Sequence, residues 1–140
     1  MSIEISQREK EGITILDLKG SLTAGDSSGV LRDTTRKLVA DGRKSVVLNL
    51  AEVDYIDSTG LGALVMFYTV LRKASGRLAL LNLNRRHMEL LVLTKLSTVF
   101  EIFDDEQSAV NSFFPNRQIR HFDILDFVEK QRRETDGEPS

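Results

Sequence analysis

The stretch Val53-Asp54-Tyr55-Ile56-Asp57-Ser58-Thr59-Gly60-Leu61-Gly62 decides how this chain is read. Upstream lies Ser45-Val46-Val47-Leu48-Asn49-Leu50, apolar at nearly every position, as expected of a strand buried on both faces of a parallel sheet. Downstream, Leu61, Leu64, Val65, Tyr68 and Leu71 recur at helical spacing, and Ser75-Gly76 ends the pattern, so a helix is predicted from about Ser58 to Ala74. A pair of hydroxyls, flanked by an acid and two glycines, therefore sits at a strand-to-helix turn. Backbone N–H groups are unpaired at such a turn and the helix dipole is positive. Asp57 or Ser58 suits the N-cap, and Gly60 and Gly62 leave the surface low enough for another backbone to approach. A phosphate on Ser58 would meet a receptive helix end and carry ~1.5–2 negative charges at the surface.

Working outward, Ile3 and Ile5, then Ile13, Ile15, Leu16 and Leu18, mark two strands joined at Lys10-Glu11-Gly12 into a hairpin. Gly20–Gly25 reads as a loop. Asp26-Ser27-Ser28 offers a cap for a helix over about 27–40, with Val30, Leu31, Thr34 and Leu38 inward and Asp41-Gly42 as its end. Leu78–Leu83 reads as a further buried strand, Arg85–Leu93 as a helix with Met88, Leu91 and Val92 inward, and Val99–Phe103 as a last strand. Asp104-Asp105-Glu106 opens a fourth helix that ends near Phe113-Phe114-Pro115, its acids complementing the dipole. The expected fold is α/β: a mixed sheet, hairpin plus parallel strands, with about four helices packed on it.

After Pro115 the pattern changes. We expect a domain over residues 1–114 and an extension over 115–140. Phe122, Ile124, Leu125, Phe127 and Val128 carry too much apolar surface for a solvated segment, which predicts a short helix over 122–133 packed on the domain or on a second copy. Thr135–Ser140 has the composition of a disordered end.

Composition narrows the function. The 140 residues make one domain. With Cys 0, the chain holds no disulfide and no thiolate metal site, which fits a reducing cytoplasm. Lys+Arg 19 against Asp+Glu 21 gives no electrostatic footprint for nucleic acid. The N-terminus lacks the pattern of a signal peptide, and no apolar run approaches the ~18 residues of a membrane span.

No enzyme site stands out. Ser58 has no activating base near it in sequence, and His87 and His121 belong to no triad pattern, so Ser58 reads as a substrate for another protein's chemistry. Thr59 reads as a second capping contact or a first-turn helix residue and not as the acceptor, and Asp57 either caps or orients the serine. The two histidines lack metal-ligand spacing. Arg85-Arg86 reads as a solvated helix start, and Gly60-Leu61-Gly62 lacks the rest of a phosphate loop. No cofactor is called for.

The string Ile56-Asp57-Ser58-Thr59-Gly60-Leu61-Gly62, with its upstream strand, resembles the phosphorylation motif of STAS domains of the anti-sigma factor antagonist type, over roughly residues 1–114. The resemblance implies a cytoplasmic bacterial partner-switching protein. In its unphosphorylated form such a protein binds an anti-sigma factor kinase with a histidine-kinase-like ATPase fold and releases the sigma factor. That kinase phosphorylates the first hydroxyl after the acid, here Ser58, and a serine phosphatase reverses the step. Thr23, Asp26, Asp57, Ser58, Thr59, Gly60, Leu61 and Gly62 would form the partner surface. The family usually carries an acid where Thr23 stands; Asp26 either substitutes for it or caps the first helix. The competing reading is a STAS module that contacts a partner without a phosphorylation cycle, in a stress-signalling or transport assembly.

Overall fold

The computed structural model of the chain describes residues 3–117 and 123–135. Its elements are β1 (Ile3–Lys10), β2 (Ile13–Leu22), α1 (Asp26–Ala40), β3 (Ser45–Ile56), α2 (Ser58–Lys73), β4 (Arg77–Leu81), α3 (Arg85–Leu93), β5 (Glu101–Phe103), α4 (Glu106–Asn111) and α5 (Ile124–Thr135). A 3-10 turn over Leu96–Thr98 leads into β5.

The five strands lie in chain order, β1 antiparallel to β2 and the rest parallel. The hairpin closes on Glu11 and Gly12, both at positive φ (54° and 83°), the left-handed pair that a two-residue hairpin turn requires. Each later strand returns beside its predecessor through a helix. Crossovers of one hand then put α1, α2 and α3 on one face. There Leu16, Leu18, Leu48, Leu50, Leu80 and Phe67 form the main core. The other face is partly covered by α4, whose Ala109 and Val110 pack on Ile15, Val47, Ala79 and Phe103. This smaller core gives way to a polar row. Arg8 forks onto Asp17 (2.7 and 3.2 Å) and Glu106 (2.5 and 3.1 Å), Asn49 donates to Asp17 (2.7 Å), and Asn82 donates to Asn49 (3.1 Å). The Arg8 guanidinium holds both carboxyls below their usual range.

Several expectations change. β3 continues to Ile56, and β2 to Leu22, so what reads as loop from Gly20 is strand. The strands stay paired because β3 takes up extra residues: Asp17 and Lys19 face Asn49 and Glu52, and Gly20 and Ser21 face Val53 and Tyr55. β4 spans Arg77–Leu81 and β5 only Glu101–Phe103. α4 begins at Glu106, one residue after Asp105, whose carboxylate caps Ser108 N–H at 2.8 Å. Val30 is exposed; the inward positions of α1 are Leu31, Thr35 and Leu38. Phe67, missed by the expected stripe, is fully buried, while Val65 and Tyr68 are half-buried.

α5 packs on α3. Asp123 caps it through Asp126 N–H at 3.0 Å, and Ile124 and Val128 join the main core with Phe127 half-buried. Leu125, expected inward, is 44% exposed because it falls between the buried positions. Phe122, His121 and residues 136–140 lie outside the described residues.

Candidate functional site

At the carboxyl ends of β2 and β3 two loops meet. Pairing of Leu22 with Ile56 brings Thr23–Gly25 alongside Asp57-Ser58. Asp57 ties them together. Its backbone N–H donates to Leu22 C=O (3.1 Å). Its carboxylate accepts from Gly60 N–H (2.8 Å) on one oxygen and from Ala24 N–H (3.3 Å) on the other. Asp57 is thus the N-cap of α2, and Ser58 is its first helical residue. An N-cap carboxylate is worth about 1 kcal/mol to a helix; here it also joins the two loops.

Gly60 lies flat against β2. A Cβ at Gly60 would stand 2.0 Å from the Leu22 carbonyl oxygen, which only an absent side chain permits. Gly62 is different: it is exposed, and a Cβ there would meet nothing within 4 Å. Ser58 and Thr59 are exposed, Asp57 is half-buried, and Gly60 and Leu61 are buried. The sequence-predicted residues therefore divide: Ser58, Thr59 and Gly62 present a surface, while Asp57, Gly60 and Leu61 shape it from below.

Thr23 is half-buried and held by two serines. Its N–H donates to Ser27 Oγ (2.8 Å), and its C=O accepts from Ser27 Oγ (2.7 Å) and Ser28 Oγ (2.9 Å). Asp26 is the first residue of α1, but the N-cap is Gly25, at φ 91° and ψ −136°, with no side-chain cap bond. The buried Ser27 and Ser28 thus fasten the loop and do not cap the helix. Sequence reasoning missed this role, although the serines lie four and five residues after the carbonyl that they bind.

Beside the turn lies a feature the sequence did not reveal, a cleft of about 340 Å³ between Tyr55 and Ile56 at the end of β3 and Arg86, His87, Leu90 and Leu93 of α3. Asn84 caps α3 by accepting from His87 N–H at 2.8 Å. His87 is 3% exposed. Burial, with the Arg86 charge adding to it and Asp54 opposing, pushes its pKa below the usual histidine value. Its Nδ1 has no hydrogen-bond partner. Among the described residues no three His, Asp or Glu side chains gather as metal ligands, and no helix is long and apolar enough to cross a membrane.

Known proteins are similar in sequence and share the fold. The anti-sigma-B factor antagonist of Listeria monocytogenes is 36% identical over 104 residues, 73% of this chain and 88% of that protein. The crystal structure of an anti-sigma factor antagonist from Mycobacterium paratuberculosis superimposes with a TM-score of 0.69 at 21% identity, over 79% of this chain and 93% of that one. The Bacillus cell fate determinant SpoIIAA in its phosphorylated form matches with a TM-score of 0.61 at 16% identity, over 78% and 99%. The STAS domain family model matches residues 4–109, the span that holds all of the sheet but Ile3, the Asp57 cap and Ser58, and the chain belongs to the STAS domain family.

Proposed function

We propose that this chain is an anti-sigma factor antagonist switched at Ser58. Unphosphorylated, it binds a kinase-type anti-sigma factor and frees the sigma factor. Phosphorylated by that kinase, it lets go, and a serine phosphatase restores it. The observation that carries this reading is the state of Ser58. It is exposed at the first position of a capped helix, and the one acid beside it already accepts from Gly60 and Ala24 N–H groups. Asp57 is thus committed to the fold, and Ser58 is offered to chemistry brought by another protein. The relatives' antagonist function supports the same assignment.

The switch is electrostatic and steric. From Ser45 to Leu71 the sequence has no lysine or arginine, so a phosphate on Ser58 adds charge beside Asp57 with no cation on β3 or on α2 as far as Leu71. A partner packed on this helix end would have to desolvate that charge. A change of about 2.7 kcal/mol already alters affinity a hundredfold. Thr23, Asp26, Thr59 and Gly62 complete the proposed contact surface, with Asp57, Gly60 and Leu61 setting its shape. Thr23, in place of the family's usual acid, gives the surface one negative charge fewer at that position.

The direct test is incubation with the cognate kinase and ATP, followed by peptide mass spectrometry. One phosphate is expected, on Ser58 and not Thr59, and none in Ser58→Ala; labelling that persists unchanged in Ser58→Ala overturns the assignment. In calorimetric titrations Ser58→Ala retains binding, whereas phospho-Ser58 and Ser58→Asp bind at least tenfold more weakly at an unchanged melting temperature. Equal affinities for the alanine and phosphorylated forms would remove the mechanism, and a large loss of melting temperature would show damage to the fold instead.

A further inference from the structure

Among the described residues the exposed large hydrophobics are Val30, Tyr55, Leu93 and Leu125. Two of them, Tyr55 at 49% and Leu93 at 69%, line one cleft. Ile56 and Leu90 complete its apolar lining. Tyr55 and Ile56, the last residues of β3, line the cleft, and the chain runs from them directly into Asp57-Ser58 of the proposed contact surface. Its charge is uneven. Glu89 also lines the cleft, and its carboxylate lies 4.0 Å from the Arg85 guanidinium. Arg86 is exposed and has no ion-pair partner among the described residues, and it lies in the first turn of α3, where the dipole is positive. An apolar slot with an unmatched cation at its rim fits a large apolar side chain with a carboxylate next to it.

The α3 wall of the slot has its own support. A nine-residue helix is marginal alone and depends on packing. α3 turns Met88 and Leu91 into the core, and α5 packs on it with Ile124 and Val128 buried. The family model ends at residue 109, so α5 is an addition to the matched domain.

We propose that this cleft is a second docking point for the anti-sigma factor. It takes a leucine- or phenylalanine-sized side chain flanked by an aspartate or glutamate, Arg86 pairs with that acid, and α5 braces the α3 wall. The inference rests on the functional reading above and adds to it a contact that the Ser58 phosphate does not touch. Buried aromatic and arginine anchors carry a disproportionate share of interface energy.

The test is calorimetric titration of the full chain with the anti-sigma factor kinase that phosphorylates it. Leu93→Glu and Arg86→Glu should each lower the affinity at least tenfold without changing the melting temperature, since both side chains are exposed. Leu125→Glu, on the solvent side of α5, should leave it unchanged. Parental affinity in both cleft variants, with Ser58→Asp still impaired, overturns the docking point and leaves the serine switch standing. A loss for Leu93→Glu alone overturns the acidic neighbour. No binding by the parent chain overturns the functional reading itself. For the brace, Val128→Asp should weaken binding and speed amide exchange in α3 at least tenfold while the sheet stays protected. Ile124→Ala gives the milder version should Val128→Asp unfold the domain. Unchanged α3 exchange in a folded variant of either kind overturns the brace.

Discussion

The first turn of α2 has two sides that read alike in sequence and behave oppositely. Gly60 faces inward against the Leu22 carbonyl, with no room for a methyl group; Gly62 faces outward into open space. The inward side serves the fold. The outward side does nothing for the fold, and a glycine in a helix interior costs about 1 kcal/mol relative to alanine. A residue that costs stability and fills no packing need points to an approach from outside. The same division runs through the other residues of the turn, with Asp57 bonded within the chain and Ser58 and Thr59 facing solvent.

Substitution at the inward glycine should give the largest effect. Gly60→Ala places a methyl group on a backbone carbonyl, and we expect a loss of about 3 kcal/mol in denaturant unfolding, at the upper end of overpacking costs. A stability within error of the parent would break the distinction. Next is Asp57→Ala, which removes the cap and the link to Ala24; about 1 kcal/mol should be lost, with faster exchange at the Ala24 and Gly60 amides. Gly62→Ala should leave the fold unchanged or stabilise it by up to about 1 kcal/mol while weakening the proposed complex with the anti-sigma factor in calorimetry. A destabilised Gly62→Ala would show that the outward side also serves the fold.

The smallest effect concerns pH. His87 is inward where its neighbour Arg86 is outward, and burial depresses its pKa in the folded state. The unfolded chain then binds the extra proton first. Stability is complete above the ordinary histidine value of about 6.5 and falls as pH drops below it. Asp17 and Glu106, also depressed, add a second loss below about pH 4. Thermal melts between pH 7 and 5 should show the first decline in the parent and less of it in His87→Phe.

Much of this was legible in the sequence because local rules and global packing agree. The apolar runs at 45–50 and 78–81 announce strands covered on both sides, and the Asp57 cap announces the start of α2. The second half of β3 was hidden for a physical reason. Its extra residues break the two-residue alternation: Val53 and Ile56 are buried, whereas Ala51, Glu52, Asp54 and Tyr55 are exposed. A period of three resembles a loop. Val30 and Leu125 misled because hydrophobicity marks a helix face only to within about one residue. The cleft could not be read at all, since Tyr55 and Leu93 meet only once α3 has packed on the sheet. The place of Ser58 at the start of α2 was legible through its neighbours, whereas Ser27 and Ser28 looked like caps and proved to be fasteners.

The strands of the sheet stand side by side in the order in which they occur along the chain. During synthesis each new strand therefore leaves the ribosome with its partner already made, and none must wait for a later segment to be inserted between neighbours. Assembly can proceed from the local hairpin edge across to β5, each parallel pairing closing over one intervening α-helix. α5, the last helix, emerges after the sheet on which α3 rests is complete, and it docks onto a finished surface.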